Sequence, residues 1–390
     1  MPSIAITPND LLKYSILALI MLNIPGIVMK EFSSVLSSML SYLSFGLLLI
    51  FYLLNKRTGI NGWLILIGLS YFTLSSLSGQ SYMPLFIDFV IFCIKYFIII
   101  ICGYEVMKRT SDTELSIFLT IGALSILLQI FFFHNPLTDY GRYSGFYINP
   151  NAGGFICILG YSLSYSIKNE KLKGIAQMIF IAMGILTFSR TFIILWILIN
   201  LIAIRVSIKN AYKLGIGLLL LLGLLTYNEF LPVKNPRISQ ISGFISGDSR
   251  AAQDLNEGSR LETWEHFYGY LIDNPIFGNG FGAFGGGGVG GFIGVHNSYL
   301  KVWGEAGIIP FLLFLLFFGV LIKKSASIFL THPHFLFMSI SLMAILATNH
   351  NFFELGYLLF TALWIHVSLL KSEEENSSLQ NNIKANDETL

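Results

Sequence analysis

Long apolar runs separated by short polar connections make up most of the chain. A helix crosses a bilayer with about 20 predominantly apolar residues, and runs of suitable length recur along the sequence. They lie near residues 11–29, 34–54, 62–80, 85–104, 115–133, 152–167, 172–188, 191–206, 211–230, 298–322, 335–351 and 354–370. The pattern predicts an all-α fold, a polytopic membrane helical bundle of about twelve transmembrane helices.

The same pattern divides the chain into four regions. Residues 1–230 are expected to hold about nine transmembrane helices and residues 298–370 about three more. Between them, residues 231–297 form one large loop, in which residues 258–274 have the apolar spacing of an amphipathic helix. The polar residues 371–390 are expected to form a disordered tail.

Composition excludes a soluble globular domain. Only 12% of the residues are charged and 54% are hydrophobic, whereas a soluble domain carries about 25% charged residues. The three cysteines all lie inside apolar runs and lack the spacing of metal ligands. The first apolar run lacks the basic segment and cleavage site of a signal peptide, so we interpret it as a retained helix.

The distribution of lysine and arginine predicts the orientation. Basic loops fall at every second connection, whereas the connections near 31–33, 78–84 and 352–354 carry almost none. The basic loops contain Lys56/Arg57, Lys108/Arg109, Lys168/Lys171/Lys173, Arg205/Lys209/Lys213 and Lys323/Lys324. By the positive-inside rule these loops and both termini are cytoplasmic. The loops at 134–151 and 231–297 are then on the opposite side.

A set of arginines departs from this rule on the outer side. They are Arg142, Arg190, Arg237, Arg250 and Arg260. The planar guanidinium matches phosphate oxygens, so the set indicates a ligand with phosphate or pyrophosphate. The alternative is that these side chains reach lipid headgroups or pair with nearby acidic residues. Arg190, within LTFSRTFIILW, lies where two apolar runs require a sharp turn.

Three further residues could act on a ligand, and each has a structural alternative. His296 opens HNSYLKVWGEAGI and could orient or deprotonate a hydroxyl, although a lone histidine is more often structural. Glu305 faces the opposite side of the same helix unless neighbouring glycines distort it. Lys95, inside an apolar run, either contacts a lipid phosphate or neutralises a carboxylate.

The glycine-rich run from 278 to 294 does not have the context of a dinucleotide-binding motif. No strand precedes it, and no acidic residue follows at the required distance. We interpret it as a flexible lid or as irregular backbone that lines a cavity.

Four segments, in this order, resemble the O-antigen polymerase and ligase family. They are GRYSGFYINPNAGG (141–154), LTFSRT (186–191), GSRLETW with NPIFGNGFGAF (258–284), and HNSYLKVWGEAGI (296–308). The resemblance implies a GT-C-like membrane glycosyltransferase in a bacterial inner membrane, with the large loop in the periplasm. It implies a metal-independent, inverting transfer of a glycan from undecaprenyl pyrophosphate, without a cofactor.

The resemblance also assigns roles to residues. His296, Arg190 and Arg260 would be catalytic, and Arg142, Asn151, Asn297, Lys95 and Glu305 would bind substrate. The partners would be an undecaprenyl-pyrophosphate-linked oligosaccharide, an acceptor glycan on a second lipid or on lipid A core, membrane lipids, and a regulator of chain length. Nothing in the sequence indicates nucleic acid.

The motifs of the two subfamilies are both incomplete. The ligase pattern H-[NSQ]-x9-G-x-x-[GTY] fits at His296, Asn297 and Gly307, but Pro310 replaces its last residue. The polymerase pattern R-x10-G fits at Arg142 and Gly153 in one outer loop and fails in the other. The interpretation favours a polymerase over a ligase. A transporter or flippase of lipid-linked glycan, or a structural membrane partner, is the alternative from another class.

Overall fold

The structure, a computed structural model, describes residues 7–77, 82, 85–133, 141–229, 260–291 and 293–387. Within these residues every regular element is helical, which confirms the all-α prediction. The α-helices are α1 (Pro8–Met21), α2 (Ile24–Glu31), α3 (Ser34–Leu54), α4 (Gly62–Leu77), α5 (Phe86–Lys108), α6 (Asp112–Leu128), α7 (Pro150–Leu163), α8 (Glu170–Leu186), α9 (Arg190–Ile204), α10 (Ala211–Glu229), α11 (Arg260–Asp273), α12 (Ser298–Ala306), α13 (Ile308–Ser327), α14 (Pro333–Leu346) and α15 (Gly356–Asp387).

Four of these helices are long and apolar enough to cross a membrane. They are α3, α5, α13, and α6 with the π-helical turn that extends it to Phe133. Helices α1 and α2, bent by 51°, form a fifth span if they are counted together. Shorter apolar helices are α4, α9, α14 and the first part of α10. The length and composition of these helices indicate a membrane protein, whereas the count of about twelve spans stays a prediction.

Large apolar side chains cover the outside of the bundle. Leu53 on α3, Ile94 on α5, Ile117 on α6 and Leu316 on α13 each expose about half or more of their surface. Water would leave such an apolar surface unfavourably solvated, whereas lipid tails would not. The exposure pattern therefore supports helices that face a bilayer.

Helix α7 is the centre of the bundle. Residues 152–163 are buried on every side of this helix, and it packs against α6, α8, α9 and α14. A helix that is apolar all round belongs in the interior of a protein. Tyr165 contacts Phe337, and the hydroxyls of Ser162 and Ser341 lie 3.5 Å apart. Helices α7 and α14 are thus antiparallel, so the start of α7 and the end of α14 lie at the same end of the bundle.

Two predicted helices are interrupted. The run near 11–29 breaks at Asn23, which has φ 51°, because this left-handed residue and Pro25 end one helix and start the next. The run near 298–322 breaks at Gly307, with φ 82°. The structure therefore corrects both single spans to helix pairs.

The basic loops gather at one end of the bundle, which we call the basic end. Arg109 donates to the carbonyl of Lys56 (2.8 Å), and Lys371 donates to that of Lys108 (2.6 Å). Lys173 and Lys213 both lie over the ring of Tyr165, and Lys168 lines a groove with Asp112. This clustering agrees with the alternation of charge along the sequence, and its assignment to the cytoplasm stays a prediction.

The tail differs from the expected disorder. Helix α15 continues through residue 371 to Asp387. Extending an existing helix avoids the cost of nucleation, and the Lys324–Glu373 ion pair (2.7 Å) ties its exposed part to α13. Much of the large loop lies outside the described residues, including Arg237 and Arg250.

Candidate functional site

Three segments meet at the side chain of Asn151. This residue lies at the end of the bundle opposite the basic end, and we call that end the site end. The side-chain oxygen Oδ1 of Asn151 accepts from Nη2 of Arg142 (3.1 Å) and from Oγ of Ser189 (3.0 Å). The first turn of α7 is fixed because Asn149 caps it, accepting from the backbone N–H of Asn151 at 2.8 Å. Arg142, Asn151 and the turn before Arg190 are therefore brought together.

The turn between α8 and α9 is as sharp as the sequence predicts. Phe188 adopts φ 47°, a left-handed conformation that reverses the chain. Ser189 is fully buried and caps α9 through a hydrogen bond from the N–H of Phe192 (3.4 Å). Arg190 is thus the first residue of α9, and its side chain is exposed.

The position of Arg190 is electrostatically unusual. A helix N-terminus carries a partial positive charge that favours anions and disfavours cations. The arginine and the positive end of the helix dipole together concentrate positive charge at the start of α9. This arrangement suits an anion such as a phosphate at the site end.

His296 is held in a strained backbone conformation before α12. Its φ is 48°, which is uncommon for a residue with a Cβ. The preceding Val295 donates its N–H to the carbonyl of Phe284 (3.0 Å). The His296 ring is half-buried and meets the ring of His350 edge to face, with centroids 4.8 Å apart.

Asn297 positions helix α12. Its side-chain oxygen accepts from the N–H groups of Tyr299 (2.9 Å) and Leu300 (3.1 Å), which is the capping geometry of asparagine. The hydroxyl of Ser298 donates to the carbonyl of Asn349 (2.6 Å). Asn297 therefore caps α12 and so fixes the backbone next to the imidazole of His296. Substrate binding by Asn297 stays a prediction.

Glu305, near the end of α12, does not face the same side as His296 and is fully buried. Its carboxylate accepts from the hydroxyl of Tyr71 on α4 and from the N–H of Phe284 (3.0 Å). Burial raises the pKa of the Glu305 carboxyl, although Lys301 and Tyr71 act in the opposite direction. Its contacts join α4, α12 and the glycine-rich segment, and its proposed contact with substrate stays untested.

The glycine-rich segment is irregular, as predicted, and its first half is packed. Phe281 is inserted among the rings of Tyr71, Phe72, Phe89 and Phe92. Phe284 is fully buried against Phe267 of α11. Residues 281–284 are therefore anchored and not a lid, whereas Gly286 and Gly287 are exposed at the rim.

Arg260 and Lys95 lie on helices α11 and α5. Arg260 is the first residue of α11, whose Phe267 and Leu271 are buried while Tyr268 is exposed. A helix therefore forms within the predicted segment and has buried and exposed residues. Lys95 lies on α5 with its ammonium 5.1 Å from the ring of Tyr42 on α3.

His350 is the residue that sequence reasoning missed. The hydrophobic pattern places it within the apolar run near 335–351 and assigns it no role. A signal was present, because His350–Asn351 repeats the His–Asn pair at 296–297 on the same predicted side. The repeated pair did not identify a contact, since only the fold brings the two histidines together.

Residues 175–315 match the sequence model of the family described as O-Antigen ligase. The matched segment extends from α8 into α13 and contains Arg190, Arg260, His296, Asn297 and Glu305. It confirms the family resemblance carried by the motifs. A comparison with curated proteins finds no match.

Proposed function

We propose, on the premise of the O-antigen ligase domain that residues 175–315 carry, that this chain is a polysaccharide polymerase. At the coarse level the family match supports an enzyme of the O-antigen ligase and polymerase type in a membrane. The finer proposal is a glycosyltransferase of the bacterial inner membrane. It moves a glycan from undecaprenyl pyrophosphate to an acceptor sugar hydroxyl on the periplasmic side.

The observation that carries the proposal is the placement of Arg142, Arg190 and His296 at one end of the bundle. Because α7 and α14 are antiparallel, the Asn151 junction at the start of α7 and His350 after α14 share the site end. His350 in turn contacts His296. A pyrophosphate leaving group requires permanent positive charge nearby, which arginines supply. A hydroxyl nucleophile requires a base, which the imidazole can supply.

The chemistry follows from these groups. The acceptor hydroxyl attacks the anomeric carbon of the donor sugar from the side opposite the pyrophosphate, so the configuration inverts. His296 receives the hydroxyl proton, and the bond from the anomeric carbon to the pyrophosphate oxygen breaks. Arg142, Arg190 and Arg260 offset the negative charge that develops on the leaving pyrophosphate.

A polymerase is preferred to a ligase because Arg142 and Gly153 complete the polymerase spacing, whereas Pro310 breaks that of the ligase. Gly153 also has a structural reason to be glycine. A Cβ there would lie 2.8 Å from the carbonyl oxygen of Ser144, so the glycine lets the 141–149 segment approach α7.

The test is a gene deletion complemented with wild type, Arg190→Ala, His296→Ala and Arg205→Ala, with the surface glycan separated on a gel. Arg205 ends the same helix that Arg190 begins and is exposed at the basic end, so it is the matched arginine control. We expect wild type and Arg205→Ala to restore a ladder. The other two variants should leave a single repeat unit on the acceptor.

Two other results of this complementation experiment would change the assignment. If every acceptor-linked unit is lost while long lipid-linked polymer accumulates, the protein is a ligase and not a polymerase. An unchanged glycan profile in the deletion strain, or full rescue by both site variants, would reject the glycosyltransferase and favour a transporter.

A further inference from the structure

The rings of His296 and His350 are in direct contact although 53 residues separate them in sequence. Their centroids are 4.8 Å apart and their planes are inclined by 65°. His296 lies in the segment before α12, and His350 lies in the segment between α14 and α15. An edge-to-face arrangement of this kind is a favourable geometry for aromatic rings.

The backbone around His296 leaves its ring little freedom. A positive φ at a residue with a Cβ persists only where the surrounding structure determines it. Here Val295 is fully buried and bonded to Phe284, and Asn297 caps α12. His296 can therefore reorient only by rotation about its own side-chain bonds. The ring of His350 lies beside the ring of His296.

The segment that carries His350 is attached to α12 at two points. The hydroxyl of Ser298 donates to the carbonyl of Asn349 (2.6 Å), and Lys301 pairs with Glu354 (2.9 Å). Lys301 is almost completely buried whereas Glu354 is exposed, so the ion pair is partly shielded from solvent screening. His350 therefore keeps its position relative to the start of α12, where His296 lies.

Gly294 provides the space for the His350 ring. A Cβ at position 294 would lie 2.8 Å from Cε1 and 3.0 Å from Nε2 of His350. Such contacts are shorter than van der Waals packing tolerates, so a larger residue would displace the ring. Gly294, two positions before His296, thus allows the ring of His350 to contact the ring of His296.

We propose that His350 is a positioning residue that holds the imidazole of His296 in its reactive orientation. The inference rests on the proposed function, because it concerns the same transfer and the same base. His350 acts through the contact of its ring with His296, and the proton of the acceptor hydroxyl goes to His296 alone. Since ring contact does not require a nitrogen, phenylalanine should replace His350.

The test compares kcat and KM of purified full-length variants. The probe is the lipid-linked glycan extracted from the deletion strain, and its consumption is followed with time. For His350→Ala we expect kcat to fall about ten-fold or more while KM changes little, because a loosened catalytic group affects the transition state more than binding. Gly294→Ala should act in the same direction, and His350→Phe should remain within about three-fold of wild type.

Two controls separate a local effect from misfolding. His332→Ala removes an exposed histidine between α13 and α14 and should leave kcat unchanged. If His350→Ala does not purify as a folded protein, His350→Leu fills the space without an aromatic edge and should show the same loss of kcat.

The inference is overturned if His350→Ala keeps the kcat of wild type, or if His350→Phe is as impaired as His350→Ala. The second result would mean that a nitrogen of His350 takes part. His296→Ala distinguishes this failure from that of the proposed function. An inactive His296→Ala beside a fully active His350→Ala rejects only the positioning role, whereas a fully active His296→Ala rejects the proposed chemistry itself.

Discussion

The amide oxygen of Asn151 receives hydrogen bonds from Arg142 and Ser189, two side chains that lie far apart in sequence. Ser189 also accepts the N–H of Phe192 and so caps α9. One serine hydroxyl therefore connects the start of α9, which carries Arg190, to the residue that holds Arg142. Small displacements of groups around a reaction centre are costly, so this junction should affect transfer as well as stability.

Replacement of Ser189 by alanine tests this junction. The variant loses a helix cap, which should lower the free energy of unfolding by about 1 kcal/mol, and it also loses the bond to Asn151. Ser33→Ala is the matched control, because Ser33 caps α3 by the same contact, to the N–H of Leu36.

We expect both serine variants to melt at lower temperatures in detergent, Ser189→Ala lower than Ser33→Ala because it also loses a buried hydrogen bond. Transfer should fall on the order of ten-fold in Ser189→Ala alone. Equal activity in both variants would show that the contact with Asn151 does not contribute.

Residue patterns predicted the arginine turn but not the histidine pair. The apolar runs on both sides of Arg190 require a reversal at that residue, and the left-handed Phe188 provides it. The contact between His296 and His350 depends on the packing of α12 against the segment after α14. Apolar periodicity contains no information about that packing.

Helices were predictable where the apolar run is uninterrupted. The run at 34–54 agrees with the observed α3. The runs near 11–29 and 298–322 were each predicted as one span, because hydropathy does not register a left-handed residue. In both cases the interruption is at a position, Asn23 or Gly307, whose residue type tolerates positive φ.

Helix α12 depends on Gly307 for its end. With φ 82°, Gly307 redirects the chain into α13, and a Cβ there would collide with the backbone of Ile276 and Phe277. Gly307→Ala should therefore destabilise the protein by roughly 1–3 kcal/mol or more.

Gly319 provides the control, since it lies within α13 and nothing is within 4 Å of its ideal Cβ. Gly319→Ala should be neutral or slightly stabilising, because alanine favours helix over glycine. Thermal unfolding of both variants in one detergent measures the difference. A melting temperature for Gly307→Ala at or above that of Gly319→Ala would contradict this explanation of the break.

At the scale of the whole molecule, the alternation of basic loops predicted which connections lie together. Contacts bring Lys56, Lys108, Lys173, Lys213 and Lys324 to the basic end. Charge counted along the sequence was sufficient here, because each span reverses the direction of the chain. Over 371–387 the structure has a helix where the polar composition predicts disorder, since a polar composition does not prevent continuation of an existing helix.

Cysteine labelling tests the orientation of the two ends. In a variant without Cys93, Cys102 and Cys157, a cysteine is placed at Gly286 or at Lys323, which are exposed at the site end and the basic end respectively. In right-side-out membrane vesicles, a membrane-impermeant maleimide should label Gly286→Cys directly. It should label Lys323→Cys only after permeabilisation, and the reverse pattern would invert the topology.

The central claim is tested most directly by reconstitution of the purified protein in vesicles with undecaprenyl-pyrophosphate-linked glycan. The measurement is the length of the lipid-linked glycan together with the release of undecaprenyl pyrophosphate. The account predicts that longer glycans form, that one undecaprenyl pyrophosphate is released for each bond made, and that His296→Ala and Arg190→Ala abolish both. Lipid-linked glycan that crosses the bilayer unchanged, with no undecaprenyl pyrophosphate released, would contradict it.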